Sequence, residues 1–223
     1  MYNLVFSIGR VTPNGVNLLG TAFMVSKEGL LCTCAHVVKN DDSNLVIMLN
    51  EPDANGYQDT TCHEVKMINV SVRDMNPFAD IAILQIKSGN MYVGKMIEVG
   101  DADFVTIGQE VAIWGFPHSD HGRKVLTFQK TEVGAKVIIG ASNIKTKSIV
   151  LNIQCRPGQS GSPVCSLKDG KLIGMIIVLG ELLFHKTIQI SKILIEHSNE
   201  VKMLSDLVYN ISYGRDSNRY MMT

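Results

Sequence analysis

RPGQSGSPV, residues 156–164, sets one serine in the middle of a turn rich in glycine and proline. Apolar runs flank it, SIVLNI (148–153) on one side and KLIGMIIVL (171–179) on the other. A plain surface turn needs no such construction. A nucleophile held on a rigid turn does, with backbone N–H groups aimed at one point. A serine hydroxyl also needs a base, which must come from elsewhere in the chain.

Outward from this turn, short apolar runs rich in Val and Ile recur at near-regular intervals: NLVFSIGRV, LLGTAFMVS, LVIML, EVKMINVSV, DIAILQI, EVAIWGF and KVIIG. Gly, Asn, Asp and Pro separate them, and Pro13-Asn14-Gly15, Asn55-Gly56 and Asp169-Gly170 read as hairpin turns. This is the pattern of an all-β sandwich or barrel. A break near residues 88–101 divides the strands into two comparable halves. From Ser191 the period changes: Leu194, Val201, Leu204, Val208 and Ile211 fall at helical spacing. The reading is two β-barrels, 1–98 and 99–190, a C-terminal helix over 191–213 and a flexible polar tail, 214–223.

Composition narrows the class. The chain has 223 residues, 45% apolar and 19% charged, which suits a folded chain with a sizeable core. Lys and Arg total 21 and so do Asp and Glu, with no basic run. Nothing electrostatic therefore calls for nucleic acid or an anionic membrane as partner. No apolar run reaches the roughly 18–20 residues of a membrane helix. The stretch MYNLVFSIGRV lacks a leader pattern and reads as the first strand. The five cysteines are an odd number without CxxC spacing, and Cys32 and Cys34 lie too close together to bridge easily. The expectation is a reduced, cytoplasmic setting.

Two residues answer the need for a base. His36 follows an apolar strand in GTAFMVSKEGLLCTCAHVV, well placed to face a cleft. Asp80 stands at the entry to the apolar strand DIAILQI, where a carboxylate must be paired or hydrogen-bonded. Alone, each has an ordinary reading, a surface histidine and a turn aspartate. Together His36, Asp80 and Ser160 supply base, orienter and nucleophile, the first two in one half of the chain and the third in the other. A site between two barrels follows.

Three blocks, GTAFMVSKEGLLCTCAHVV, ADIAILQI and PGQSGSPV, resemble the signature blocks of the trypsin-like, chymotrypsin-fold serine proteases, in the order His, Asp, Ser. They are closest in style to the HtrA/Deg branch, and VAIWGFP and DGKLIGMIIV resemble its second-barrel strands. The resemblance runs from about residue 5 to about residue 196. It implies two six-stranded antiparallel barrels and a serine endopeptidase acting on protein or peptide substrates without a cofactor. It also implies an oxyanion hole from the backbone N–H groups of Gly158 and Ser160. A specificity pocket would lie around Gln154, Cys155, Ile177, Val178 and Leu179, all uncharged, which disfavours Arg or Lys at the cleaved position. Glu181 on the far wall is the one anion that could reverse this.

The chain departs from the pattern in places. The secreted digestive branch has a cysteine where Val37 stands, and before the nucleophile an Asp that pairs with a newly cut N-terminus; here Gln159 stands there. An N-terminal salt-bridge switch is therefore not expected. The helix and tail leave no room for the PDZ domain that usually follows an HtrA protease. Two other readings compete: a trypsin-fold binding module whose triad is idle, and a protease held inactive until a partner remodels the loops at 116–124 or 180–186. His118 and His121, three apart in a loop, read as an exposed loop rather than a metal site.

Overall fold

The computed structural model describes residues 1–50, 53–61, 64–87, 96–141, 144–178 and 185–188. The first barrel is built from β1 (Val5–Thr12), β2 (Gly15–Met24), β3 (Leu30–Thr33), β4 (Leu45–Met48), β5 (Met67–Asn76) and β6 (Ile81–Ile86). It closes in the order β1-β2-β3-β6-β5-β4, every pairing antiparallel. The second comprises β7 (Glu110–Gly115), β8 (Thr127–Ala141), β9 (Ile144–Leu151), β10 (Pro163–Ser166), β11 (Leu172–Val178) and β12 (His185–Ile188), closed as β10-β11-β12-β9-β8-β7. The expected pair of six-stranded barrels is the fold. The expected helix and tail, 191–223, lie outside the described residues.

The burial of the strands says where the barrels meet. The tip of the β1–β2 hairpin is exposed, whereas β3 and β4 are buried at every position. A strand buried on both faces has the barrel interior on one side and a packing partner on the other. Accordingly, one apolar cluster joins Phe23, Leu31 and Leu84 of the first barrel to Phe116, Leu126, Met175 and Ile177 of the second. A separate cluster, with Val111, Ile113, Val133, Ile149 and Val164, fills the second barrel. Closing the sheets abolishes exposed edges, and the shared cluster buries the faces the barrels turn to each other.

Four cysteines, Cys32, Cys34, Cys155 and Cys165, are buried as free thiols in these cores. Burial pushes Cys155 up to about 11 and Cys32 and Cys165 up to about 12. The unfolded chain ionises these thiols from about pH 9 while the fold holds them protonated, so stability is full below that pH and falls as pH rises toward 11–12. Each thiol contributes a slope of about 1.4 kcal/mol per pH unit in that window. Urea midpoints are expected to be level up to pH ~8 and to drop above ~9, less steeply for Cys165→Ala than for the wild type. Equal slopes would mean that the buried thiols do not drive the loss.

Candidate active site

The end of β3 leads through Cys34 into a one-turn helix, α1 (Ala35–Val38), which buries Ala35, Val37 and Val38. That leaves His36 as its exposed residue, facing away from the core. Asp80 closes the turn between β5 and β6 in a left-handed conformation, φ +57. Aspartate tolerates that region better than most side chains because its short polar group bonds locally. Here its carbonyl accepts from the Ala35 N–H at 3.2 Å and its Oδ1 from the His36 N–H at 2.9 Å. The carboxylate is thus clamped to the start of α1, and its other oxygen, Oδ2, lies 2.7 Å from His36 Nδ1.

Across the barrel interface, His36 Nε2 is 3.0 Å from Ser160 Oγ. The Asp80 side chain is 13% exposed and that of His36 40%, so the charge sits sheltered and the imidazole edge stays open. An ionised Asp80 draws the imidazole proton to Nδ1, which leaves a lone pair on Nε2 facing the serine hydroxyl. The half-buried Val178 contributes its N–H, 3.3 Å from the same Oγ.

The turn that carries Ser160 is held on all sides. Gly158 and Gly161 both have φ +89. A Cβ on Gly158 would collide with Ser119 Oγ and the Phe116 carbonyl, and one on Gly161 with the Thr21 carbonyl, so both positions require glycine twice over. The Pro157 carbonyl accepts from the His118 N–H at 2.8 Å. In a planar trans peptide the next N–H, that of Gly158, then points away from the 118–121 loop. Gln159 is fully buried; its Oε1 accepts from the Arg156 N–H at 2.7 Å and its Nε2 donates to Gln129 Oε1 at 2.6 Å. Among the described residues, the N–H groups of Gly158 and Ser160 donate to no acceptor, although both residues are buried. Free buried amides carry a desolvation cost unless an anion or carbonyl oxygen meets them.

Cys34 lies beneath this array. Its Sγ, a ring nitrogen of His36 and a carboxylate oxygen of Asp80 are within 4.8 Å of one another. Burial, and then the Asp80 charge, push its thiol well up, and the S–H is directed at the Ile176 carbonyl at 3.3 Å. Protonated and so directed, it fills space under the aspartate.

The other residues singled out from the sequence are spread more widely. Ile177 packs in the cluster between the barrels and Cys155 in the core of the second, Val178 stands beside Ser160, and Gln154 is exposed. Leu179 and Glu181 lie outside the described residues. His118 and His121 stand with ring centroids 6.1 Å apart in the loop after β7. Three participants escaped the sequence reading: Thr21, Gln129 and the backbone of His118. A threonine or glutamine in a strand is commonplace, and a backbone donor leaves no mark in the sequence at all.

Comparison with known proteins agrees with this fold. The family profile of the trypsin-like peptidase domain matches residues 20–175. A probable periplasmic serine endoprotease, DegP-like, of Pseudomonas fulva is 25% identical over 161 residues, covering 70% of this chain and 28% of the relative. Its counterpart in Rickettsia conorii is 27% identical over 164 residues, covering 74% and 29%. The chain thus spans under a third of the length of these relatives. In fold it is similar to the MamO protease domain of Magnetospirillum magneticum (TM-score 0.64, 15% identity, 87% of this chain and 95% of that one). Deg5 is comparable (TM-score 0.65, 18% identity, 87% of each).

The relatives' names overturn the cytoplasmic expectation, because they are called periplasmic. The cysteine argument behind it fails for a physical reason. The four described cysteines are buried with their thiols protonated. A thiol in that state neither pairs nor reacts in either redox environment, so its being free does not report the compartment.

Proposed function

The chain belongs to the family of trypsin-like peptidase domains, and from that premise we propose that it is a serine endopeptidase of the HtrA/DegP type, cleaving peptide bonds of protein substrates. The observation that carries this reading is the continuous hydrogen-bonded line Asp80–His36–Ser160, with links of 2.7 and 3.0 Å. His36 Nε2 takes the hydroxyl proton as Ser160 Oγ adds to the scissile carbonyl carbon. The carbonyl oxygen becomes an oxyanion, which meets the free N–H groups of Gly158 and Ser160. Asp80 stabilises the imidazolium and holds its proton at Nδ1. His36 then gives the proton from Nε2 to the leaving amine, the C–N bond breaks, and an ester to Ser160 remains. Water, deprotonated by His36, adds to that ester; the C–O bond to Ser160 then breaks, His36 returns the proton to Oγ, and the carboxylate product leaves. Each oxyanion-hole donor is worth roughly 2.7–4 kcal/mol in the barrier of a comparable enzyme.

Gln159 bears on activation. An acid at its position would need a buried cation to neutralise it. The uncharged amide is satisfied within its own barrel by Arg156 and Gln129, so the turn needs no N-terminal ammonium. The loop at 118 touches the same turn through the Pro157 carbonyl, which gives an activating partner a place to act. The expected preference at the cleaved position is for apolar or small uncharged residues such as Leu, Val, Ala or Met. The uncharged Val178, beside Ser160, and Gln154 offer a substrate cation no counter-charge, and stranding a desolvated one would cost several kcal/mol. By analogy with the relatives named periplasmic, the location is periplasmic or secreted.

The test is the untrimmed chain, treated with a fluorophosphonate and profiled on a peptide library. It is expected to form the covalent adduct without N-terminal cleavage and to cut after apolar residues. No adduct and no cleavage would remove the peptidase reading. A dominant Arg or Lys would overturn the apolar pocket and point to Glu181.

A further inference from the structure

Thr21 joins the two barrels at the nucleophile turn. It lies in β2 and is fully buried. Its hydroxyl donates to the Gly158 carbonyl at 2.8 Å and accepts from the Phe116 N–H at 3.2 Å, both in the second barrel. Its own N–H donates to the Ser160 carbonyl at 2.9 Å, and its carbonyl accepts the Thr33 hydroxyl at 2.7 Å. The backbone link to Ser160 would be made by any residue at position 21 except proline. The link to Gly158 exists only because this side chain carries a hydroxyl.

We propose that Thr21 is a positioning residue for acyl transfer, its hydroxyl fixing the peptide after Gly158 relative to His36. The proposal deepens the peptidase reading and rests on it. His36 hangs from the first barrel, three residues past the end of β3, and β2 pairs directly with β3 through Phe23 and Cys32. Ser160 and the free amides stand on the second barrel. The 3.0 Å contact between base and nucleophile therefore spans the junction of two separately closed sheets. Thr21 sits on the strand next to the one that leads to the base and grips the turn on both sides of Gln159. Position matters at this junction, since a misplacement of about 1 Å can cost roughly 10²-fold in rate.

The experiment compares Thr21→Val, which keeps the shape and removes the hydroxyl, with Thr21→Ser, which keeps the hydroxyl. The whole chain is used, and kcat, KM and the affinity of a peptide boronate are measured per folded molecule, counted by circular dichroism. For the valine variant, kcat is expected to fall about 10–100-fold and boronate affinity to fall in step, with KM within about threefold. The serine variant should stay within about threefold of wild type in all three. A valine variant with wild-type kcat per folded molecule, or a serine variant as slow as the valine one, would overturn the proposal. Should the valine variant not fold, Thr21→Ala takes its place, since its smaller side chain admits a water to the two stranded groups. Failure of both to fold, with the serine variant intact, would make the hydroxyl purely structural and also overturn it. If the wild type itself neither cleaves nor reacts, the peptidase reading falls separately. Hydrogen exchange of segment 156–161 then decides the role of Thr21, with faster exchange in the valine than in the serine variant supporting it and equal rates sinking it.

Discussion

Ser160→Ala is expected to fold as the wild type does and to lose about 10⁶-fold in kcat, keeping no more than the ~10³–10⁴ over water that binding and an oxyanion hole supply without a nucleophile. The fold survives because the turn is not held by that hydroxyl. Thr21 bonds the Ser160 carbonyl, the Gly161 N–H goes to the Ile176 carbonyl at 2.9 Å, and Gln159 anchors the turn from within. Alanine keeps all of these. What Oγ leaves behind is His36 Nε2 on an open edge and the N–H of the half-buried Val178. The stability change should stay within about 1 kcal/mol. Peptide cleavage, fluorophosphonate labelling and melting temperature, measured on one preparation, decide the matter. An alanine variant that cleaves at the wild-type rate would dismiss Ser160 as nucleophile, and one that is inactive but unfolded would leave the comparison to His36→Ala, whose side chain is exposed at the site and packs in no core.

The fold, and the three side chains that meet between its barrels, were legible in the sequence because each leaves a local mark. The period-two runs give strands, and glycine at positions 158 and 161 marks backbone that no side chain tolerates. His36, Asp80 and Ser160 stand beside strands whose ends converge, so the three singled-out side chains do meet. What remained hidden depends on partners distant in sequence. Thr21 acts on Gly158 across 137 positions, and Gln129 on Gln159 across 30. Neither residue type is unusual in a strand, and no pattern in a single sequence couples them. Of the pocket residues expected from the sequence, Cys155 and Ile177 have their side chains committed to two different packed clusters, which an apolar run alone does not reveal. The compartment was misjudged because burial, which the cysteine count ignores, decides whether a thiol can report it.

Asp80→Asn tests the electrostatic half of the triad without disturbing its shape. Asparagine tolerates φ +57 as aspartate does, so the turn and the Ala35 contact at its carbonyl should persist. The His36 N–H, 2.9 Å from Oδ1, selects the carboxamide orientation, because only the amide oxygen can accept from it. That choice turns the NH₂ group toward His36 Nδ1, where Oδ2 stood at 2.7 Å. A donor there demands a lone pair on Nδ1, which drives the imidazole proton to Nε2. The base then presents an N–H to Ser160 across the 3.0 Å gap and cannot take the hydroxyl proton. A fall in kcat of about 10⁴-fold is expected, with KM and melting temperature little changed, as the same exchange produces in a serine protease of this geometry. Nitrogen-15 spectra of His36 give the reading independent of activity: Nδ1 carries the proton in the neutral wild type and Nε2 in the variant. A variant within tenfold of wild-type kcat, or one whose tautomer does not change, would mean that Asp80 anchors α1 through the His36 amide and does not set the proton on the ring.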